Sequence, residues 1–119
     1  MKQESNSATA INTTTSKQPY KDISVTEAMK LHEQGDILFL DVRTPEETAE
    51  GVIPGAIIAD YRSDSFKQEI STLDKSKSYV VYCRSGGRSV QASNLMSEAG
   101  FSDLLNMKGG YNSWKEANQ

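Results

Sequence analysis

Cys83 is the only cysteine in this 119-residue chain, and its neighbours are of the kinds that activate a thiol. It follows the short apolar run Tyr79-Val80-Val81-Tyr82 and precedes Arg84-Ser85-Gly86-Gly87-Arg88-Ser89. A free cysteine titrates near 8.5, so only a few per cent is thiolate at neutral pH. Two nearby arginines and the positive end of a following helix all favour the anion. Lowering the pKa by about two units takes roughly 2.7 kcal/mol of differential stabilisation, which two cations and a helix end can supply. Gly86 and Gly87 open backbone conformations closed to other residues, so successive N–H groups can converge on one anionic atom. The chemistry this describes is a nucleophilic sulfur in the floor of an anion-binding loop. A lone cysteine is ordinarily a small buried hydrophobe. The arginines and glycines beside Cys83 are what favour the reactive reading.

Loop length bears on which anion fits. Phosphatases with a cysteine nucleophile place five residues between cysteine and arginine. Here Cys83 and Arg88 enclose four, and Ser89 stands at the position of the phosphatase arginine. Tyr82 stands where tyrosine phosphatases have histidine. The shorter ring suits a single bound sulfur atom better than a tetrahedral oxyanion.

The segment Cys83 to Ser89 resembles the active-site loop of single-domain rhodaneses (thiosulfate sulfurtransferases). Three further stretches carry the same resemblance in the family's order: Asp41-Val42-Arg43-Thr44-Pro45-Glu46-Glu47, Gly51-Val52-Ile53-Pro54-Gly55-Ala56 and Lys108-Gly109-Gly110-Tyr111-Asn112-Ser113-Trp114. Together they cover about residues 20 to 117. The resemblance implies a sulfurtransferase working by double displacement, with Cys83 carrying the sulfur as a persulfide. Arg84 would attract the anionic donor, and Arg88 would hold the loop and the developing charge. Ser85, Gly86, Gly87 and Ser89 would complete the loop, with Asp41 and Arg43 as structural support. It implies no cofactor and no metal. The donor would be a small sulfur-containing anion such as thiosulfate, and the acceptor cyanide or a thiol, with a sulfur-relay protein as a possible partner. Two other readings stay open from the residues: a non-catalytic or partner-fed persulfide carrier, and a phosphatase or arsenate reductase on the same architecture. The chain departs from the family at Val52, where Gly-His-Ile-Pro-Gly-Ala is common, and near Thr48, where an aromatic is often found. Both departures bear on the pocket rim and substrate preference.

The elements that must position Cys83 follow from patterning. The run Tyr79 to Tyr82 reads as a strand buried on both faces, ending at the thiol. Ser89 to Ala99 has helical spacing, with Val90, Ala92, Leu95, Met96 and Ala99 on its apolar face. Met96 reads as core, not as a ligand. Ile37 to Val42 is another continuous apolar strand, hence central and parallel. It delivers Asp41 to the ligand end of the sheet, where its carboxylate can pair with Arg88 or brace the loop.

Tyr20 to Ile23 predicts a short edge strand. Ser24 and Glu27 form a capping box for a helix running to about Gln34, stopped by Gly35. His32 on that helix reads as a solvated or partly packed side chain. Pro45 to Glu50 predicts a short helix with proline in its first turn, followed by a turn into the strand Ile57 to Ala59. Ser63 or Asp64 is expected to cap a helix bearing Phe66, Ile70 and Leu73 on one face. A last strand lies around Leu104 to Asn106, and Gly109-Gly110 turns into a short helix whose Trp114 reads as a core lid. The repeated alternation of strand and helix predicts an α/β fold: a central, mostly parallel sheet flanked by helices on both faces.

The length suits one domain with a real core. Residues 19–119 are expected to form the domain, and the Ser/Thr/Asn-rich residues 1–18 a disordered polar tail or linker. The formal net charge of −3 gives no basic field for nucleic acid or an anionic membrane. Affinity for an anionic substrate must then come from local arginines. One cysteine excludes an internal disulfide and a cysteine-rich zinc site, and no apolar run reaches the length of a membrane span. A polar tail ahead of a compact domain also resembles the tether of an exported bacterial protein. The compartment is therefore read as cytoplasmic or, with an export signal removed ahead of Met1, periplasmic.

Overall fold

The computed structural model describes residues 19–119. The expected tail, residues 1–18, lies outside the described residues. Five strands form one sheet: β1 (Lys21–Ile23), β2 (Leu38–Asp41), β3 (Ile57–Ile58), β4 (Ser78–Tyr82) and β5 (Asp103–Met107). Their order is β1-β5-β4-β2-β3, and every adjacent pair is parallel. The helices are α1 (Val25–Gln34), α2 (Pro45–Thr48), α3 (Phe66–Ile70), α4 (Gly87–Glu98) and α5 (Gly110–Ala117).

Parallel strands need crossovers, and helices returning over both faces cover the sheet twice. The core is accordingly in two parts. Tyr79, Val81 and Cys83 face α3 and α4, packing with Phe66, Ile70, Ala92 and Met96. The alternate residues Val80 and Tyr82 face α1 and α5, packing with Ala28, Phe39 and Trp114. The lone thiol thus points to the α4 side, at the carboxyl end of the strand at the centre of the sheet.

Several local expectations hold. Ser24 and Glu27 make the reciprocal capping box, and Gly35 ends α1 in the left-handed conformation at φ 77°. His32 is partly packed, edge-on to Phe39 and Trp114 with centroids 5.3 and 5.4 Å away. Trp114 is 8% exposed and closes that face.

Two expectations hold in part. The third helix is a single five-residue turn whose N-cap is Ser65, without a side-chain cap, in place of Ser63 or Asp64. Phe66 and Ile70 are buried in it, but Leu73 lies beyond its end and is only partly covered. In α4 the fully buried stripe is Ser89, Ala92, Ser93 and Met96. Of the expected apolar face, Ala92 and Met96 are fully buried and Leu95 and Ala99 pack partly buried against the same core, while two serines that the pattern did not mark share the inner face.

Candidate active site

The loop after β4 is held from outside by the last helix. Tyr111 N–H donates to Cys83 O at 2.8 Å, and Asn112 N–H to Arg84 O at 3.1 Å. A trans peptide directs its N–H opposite to its C=O, so tying both carbonyls to α5 turns the loop's amides toward the sulfur. Gly86 N–H donates to Cys83 Sγ at 3.1 Å. Gly86 itself has φ 129°, a conformation that excludes side chains. Gly110 permits the outer contacts: a β-carbon there would lie 2.5 Å from the carbonyl oxygens of both Cys83 and Arg84.

Cys83 is 1% exposed. Burial pushes its thiol up, but hydrogen bonding within the loop, at Ser89, Gly86 and Ser85, outweighs burial. The thiol lies below its ordinary value. Ser89 is fully buried, whereas Arg84, Ser85 and Gly87 are exposed. The loop thus offers the sulfur its backbone and one hydroxyl, and turns its charged side chain outward.

The two arginines differ. Arg88 makes a two-pronged pair with Glu47, at 2.7 Å to Oε1 and 2.9 Å to Oε2. Glu47 is fixed in turn as the third residue of α2. Thr44 N–H and Oγ1 donate to its Oε1 at 3.1 and 3.0 Å. The Arg88 hydrogen bond is the main cause that draws the Glu47 carboxyl down to about 2, with Thr44 adding to it against burial. Arg88 therefore ties α4 to α2, and its charge is largely matched.

Asp41 does not pair with Arg88 as the sequence suggested. Its carboxylate is taken by Arg43, whose Nη2 lies 2.7 Å from Oδ2 and whose Nε lies 3.0 Å from Oδ1. Both residues are buried. The competing partner is simply nearer in the chain, and Arg43 gains a further bond to Gly51 O at 2.7 Å. Its guanidinium lies 4.2 Å from the Tyr111 ring centroid, which braces the residue whose N–H holds Cys83 O. Beneath this, Tyr82 accepts from Ile53 N–H at 3.1 Å, and burial pushes its phenol well up.

A cleft of about 380 Å³ opens beside the loop. Glu46, Glu47 and Glu50 line it from α2 and just beyond, with Arg84 from the loop and Tyr111, Asn112 and Lys115 from α5. Arg43 lines it too, and the half-buried Val52 and Thr48 are not among its lining residues. Sequence reading missed Glu47, Gly110, Tyr111 and Asn106. Thr44-x-x-Glu47 is a legible capping box, but its second use by Arg88 leaves no local signal.

Residues 24–117 match the family model described as a rhodanese-like domain. Among curated relatives, the chain is 36% identical over 87 residues to a sulfurtransferase of Allochromatium vinosum, covering 73% of this chain and 79% of that one. It is 37% identical over 102 residues to thiosulfate sulfurtransferase 16, chloroplastic, of Arabidopsis thaliana, covering 77% and 84%. A crystal structure of a rhodanese-related protein from Thermoplasma volcanium superposes with a TM-score of 0.73 at 28% identity, covering 82% of this chain and 93% of that one.

Proposed function

The chain belongs to the rhodanese-like sulfurtransferase family, and from that membership we propose that it moves a sulfane sulfur from thiosulfate, or a donor like it, to a thiophilic acceptor through a persulfide on Cys83. The Cys83 thiolate attacks the outer sulfur of the donor. The sulfur–sulfur bond of thiosulfate breaks, and sulfite leaves with the bonding pair. Cys83 then carries one extra sulfur, whose negative charge faces the loop amides. Cyanide or a thiolate attacks that outer sulfur, the Cys83 thiolate departs, and the product is thiocyanate or a persulfide. Nothing in the cycle requires a base beside the thiolate, so His32, packed against Phe39 and Trp114, has no part in it.

The observation that carries this reading is the tethered loop. Cys83 Sγ accepts from Gly86 N–H at 3.1 Å while the carbonyls of Cys83 and Arg84 are held away by α5. Amides fixed before the reaction need no reorganisation as charge moves onto the outer sulfur. Arg84, exposed like Lys115 among the residues lining the cleft, is the cation that the loop itself offers to a dianionic donor, while Arg88, engaged by Glu47, keeps the loop in register. The test is transfer from thiosulfate to cyanide, with ping-pong kinetics expected of the covalent intermediate. Cys83→Ser abolishes transfer on this account; retained activity refutes it.

A further inference from the structure

A line of hydrogen bonds connects the surface of the edge strand β1 to the sulfur. Asp22 and Asn106 are register partners on β1 and β5, and Asn106 Nδ2 donates to Asp22 Oδ1 at 2.9 Å. Asn106 is buried, and its Oδ1 accepts from the Ser89 hydroxyl at 2.6 Å. The Ser89 oxygen lies 3.5 Å from Cys83 Sγ.

The donor and acceptor inventory fixes which way each group faces. A carboxylate only accepts, so the NH₂ end of the Asn106 amide must face Asp22 and its carbonyl end must face Ser89. That carbonyl only accepts. So does Gly86 O, the hydroxyl's other neighbour at 3.1 Å. Ser89 has a single hydroxyl hydrogen, and at 2.6 Å Asn106 claims it. The hydroxyl then presents a lone pair to Cys83, which can receive an S–H but repels a sulfur anion. Help from Ser89 to the anion is conditional on release from Asn106.

We propose that Asp22 is a positioning residue for the sulfur site: by fixing the Asn106 amide, it holds the Ser89 hydroxyl hydrogen away from Cys83 and withholds that hydrogen bond from the sulfur anion. Without the carboxylate, the amide is free to turn its NH₂ toward Ser89. The hydroxyl then accepts from Asn106 and donates to the sulfur anion. Only hydrogen bonds change. The charged groups around the thiol stay as they are: Arg84 in its own loop, Arg88 of α4 with Glu47 behind it, and Asp41 with Arg43 at the end of β2. The functional weight of this device rests on Cys83 being the sulfur carrier. Its test reads ionisation in the absence of any donor, so its failure and the failure of the sulfurtransferase reading are separate results.

The experiment is a pH titration of ultraviolet thiolate absorbance on the full chain, with Cys83→Ser as the blank. Asp22 is exposed on an edge strand, so Asp22→Ala leaves the core intact. A hydrogen bond gained by a charged group is large enough to lower the Cys83 midpoint by about one pH unit, or about tenfold more thiolate on the acid side. Removing a negative charge also lowers the midpoint through space, so the same change is made in a Ser89→Ala background. The relay predicts that Asp22→Ala then leaves the midpoint in place. No shift in the single variant, or an equal shift with and without the Ser89 hydroxyl, overturns the proposal.

Discussion

Gly110→Ala tests whether the last helix holds the sulfur loop in shape. Gly110 has φ 60°, and its α-carbon is pressed against the backbone of the loop. A β-carbon would meet the carbonyl oxygens of Cys83 and Arg84 at 2.5 Å, below the 3.0 Å that real β-carbons keep. Backbone must therefore retreat by at least about half an ångström, and no flexible side chain is available to yield in its place. The left-handed conformation alone costs a non-glycine residue about 1–2 kcal/mol, and the overpacking adds about 1–3 kcal/mol. Gly35 supplies the control. It has φ 77° with nothing within 4 Å of a β-carbon, so Gly35→Ala carries the conformational cost without the clash. Denaturant unfolding should place Gly110→Ala below Gly35→Ala by about 1–3 kcal/mol. Misplacing reacting groups by up to about 1 Å costs as much as about a hundredfold in rate. Sulfur transfer by Gly110→Ala should accordingly fall by about tenfold or more, with Gly35→Ala near the parent rate. Equal behaviour of the two variants in both assays would refute the tether.

Glu47→Gln keeps the side chain that a capping box accepts but removes the charge that pairs with Arg88, and should cost about 1–2 kcal/mol at neutral pH. Because the Glu47 carboxyl is drawn down to about 2 in the fold, its contribution is present above its ordinary value of about 4.3 and is lost as pH falls toward 2. Unfolding midpoints between those pH values should drop less steeply for Glu47→Gln than for the parent; parallel acid limbs would count against the pairing. Arg84→Ala should raise KM for thiosulfate by about fivefold, the scale of one exposed charge–charge contact, with the gap shrinking as salt is added. Unchanged KM removes Arg84 from donor capture.

Much of the architecture was legible because each element carried its own local signal. The apolar runs Ile37 to Val42 and Tyr79 to Tyr82 mark interior parallel strands, and the Ser24–Glu27 box marks where α1 begins. The thiol at the end of a strand, followed by glycines and a helix, gave the position of the candidate site. What the sequence hides is partnership at a distance. Asp41 had two arginines within reach in principle, and only the fold decides that Arg43 takes it and Glu47 takes Arg88. Gly109-Gly110 reads as a turn, but its second glycine is required by backbone pressed against it from residues 83 and 84, far away in the chain. Ser89 and Ser93 break the apolar face of α4, and only the sheet position of Asn106 explains why a hydroxyl at residue 89 belongs inside. The five-residue α3 is shorter than its pattern, with Leu73 partly covered beyond its end.

The most direct measurement is the intact mass of the protein before and after incubation with thiosulfate, for the parent and for Cys83→Ser. The account predicts a gain of one sulfur atom on the parent, its removal by cyanide or a small thiol, and no gain on Cys83→Ser. A parent chain that gains nothing, or a serine variant that gains as much, contradicts it.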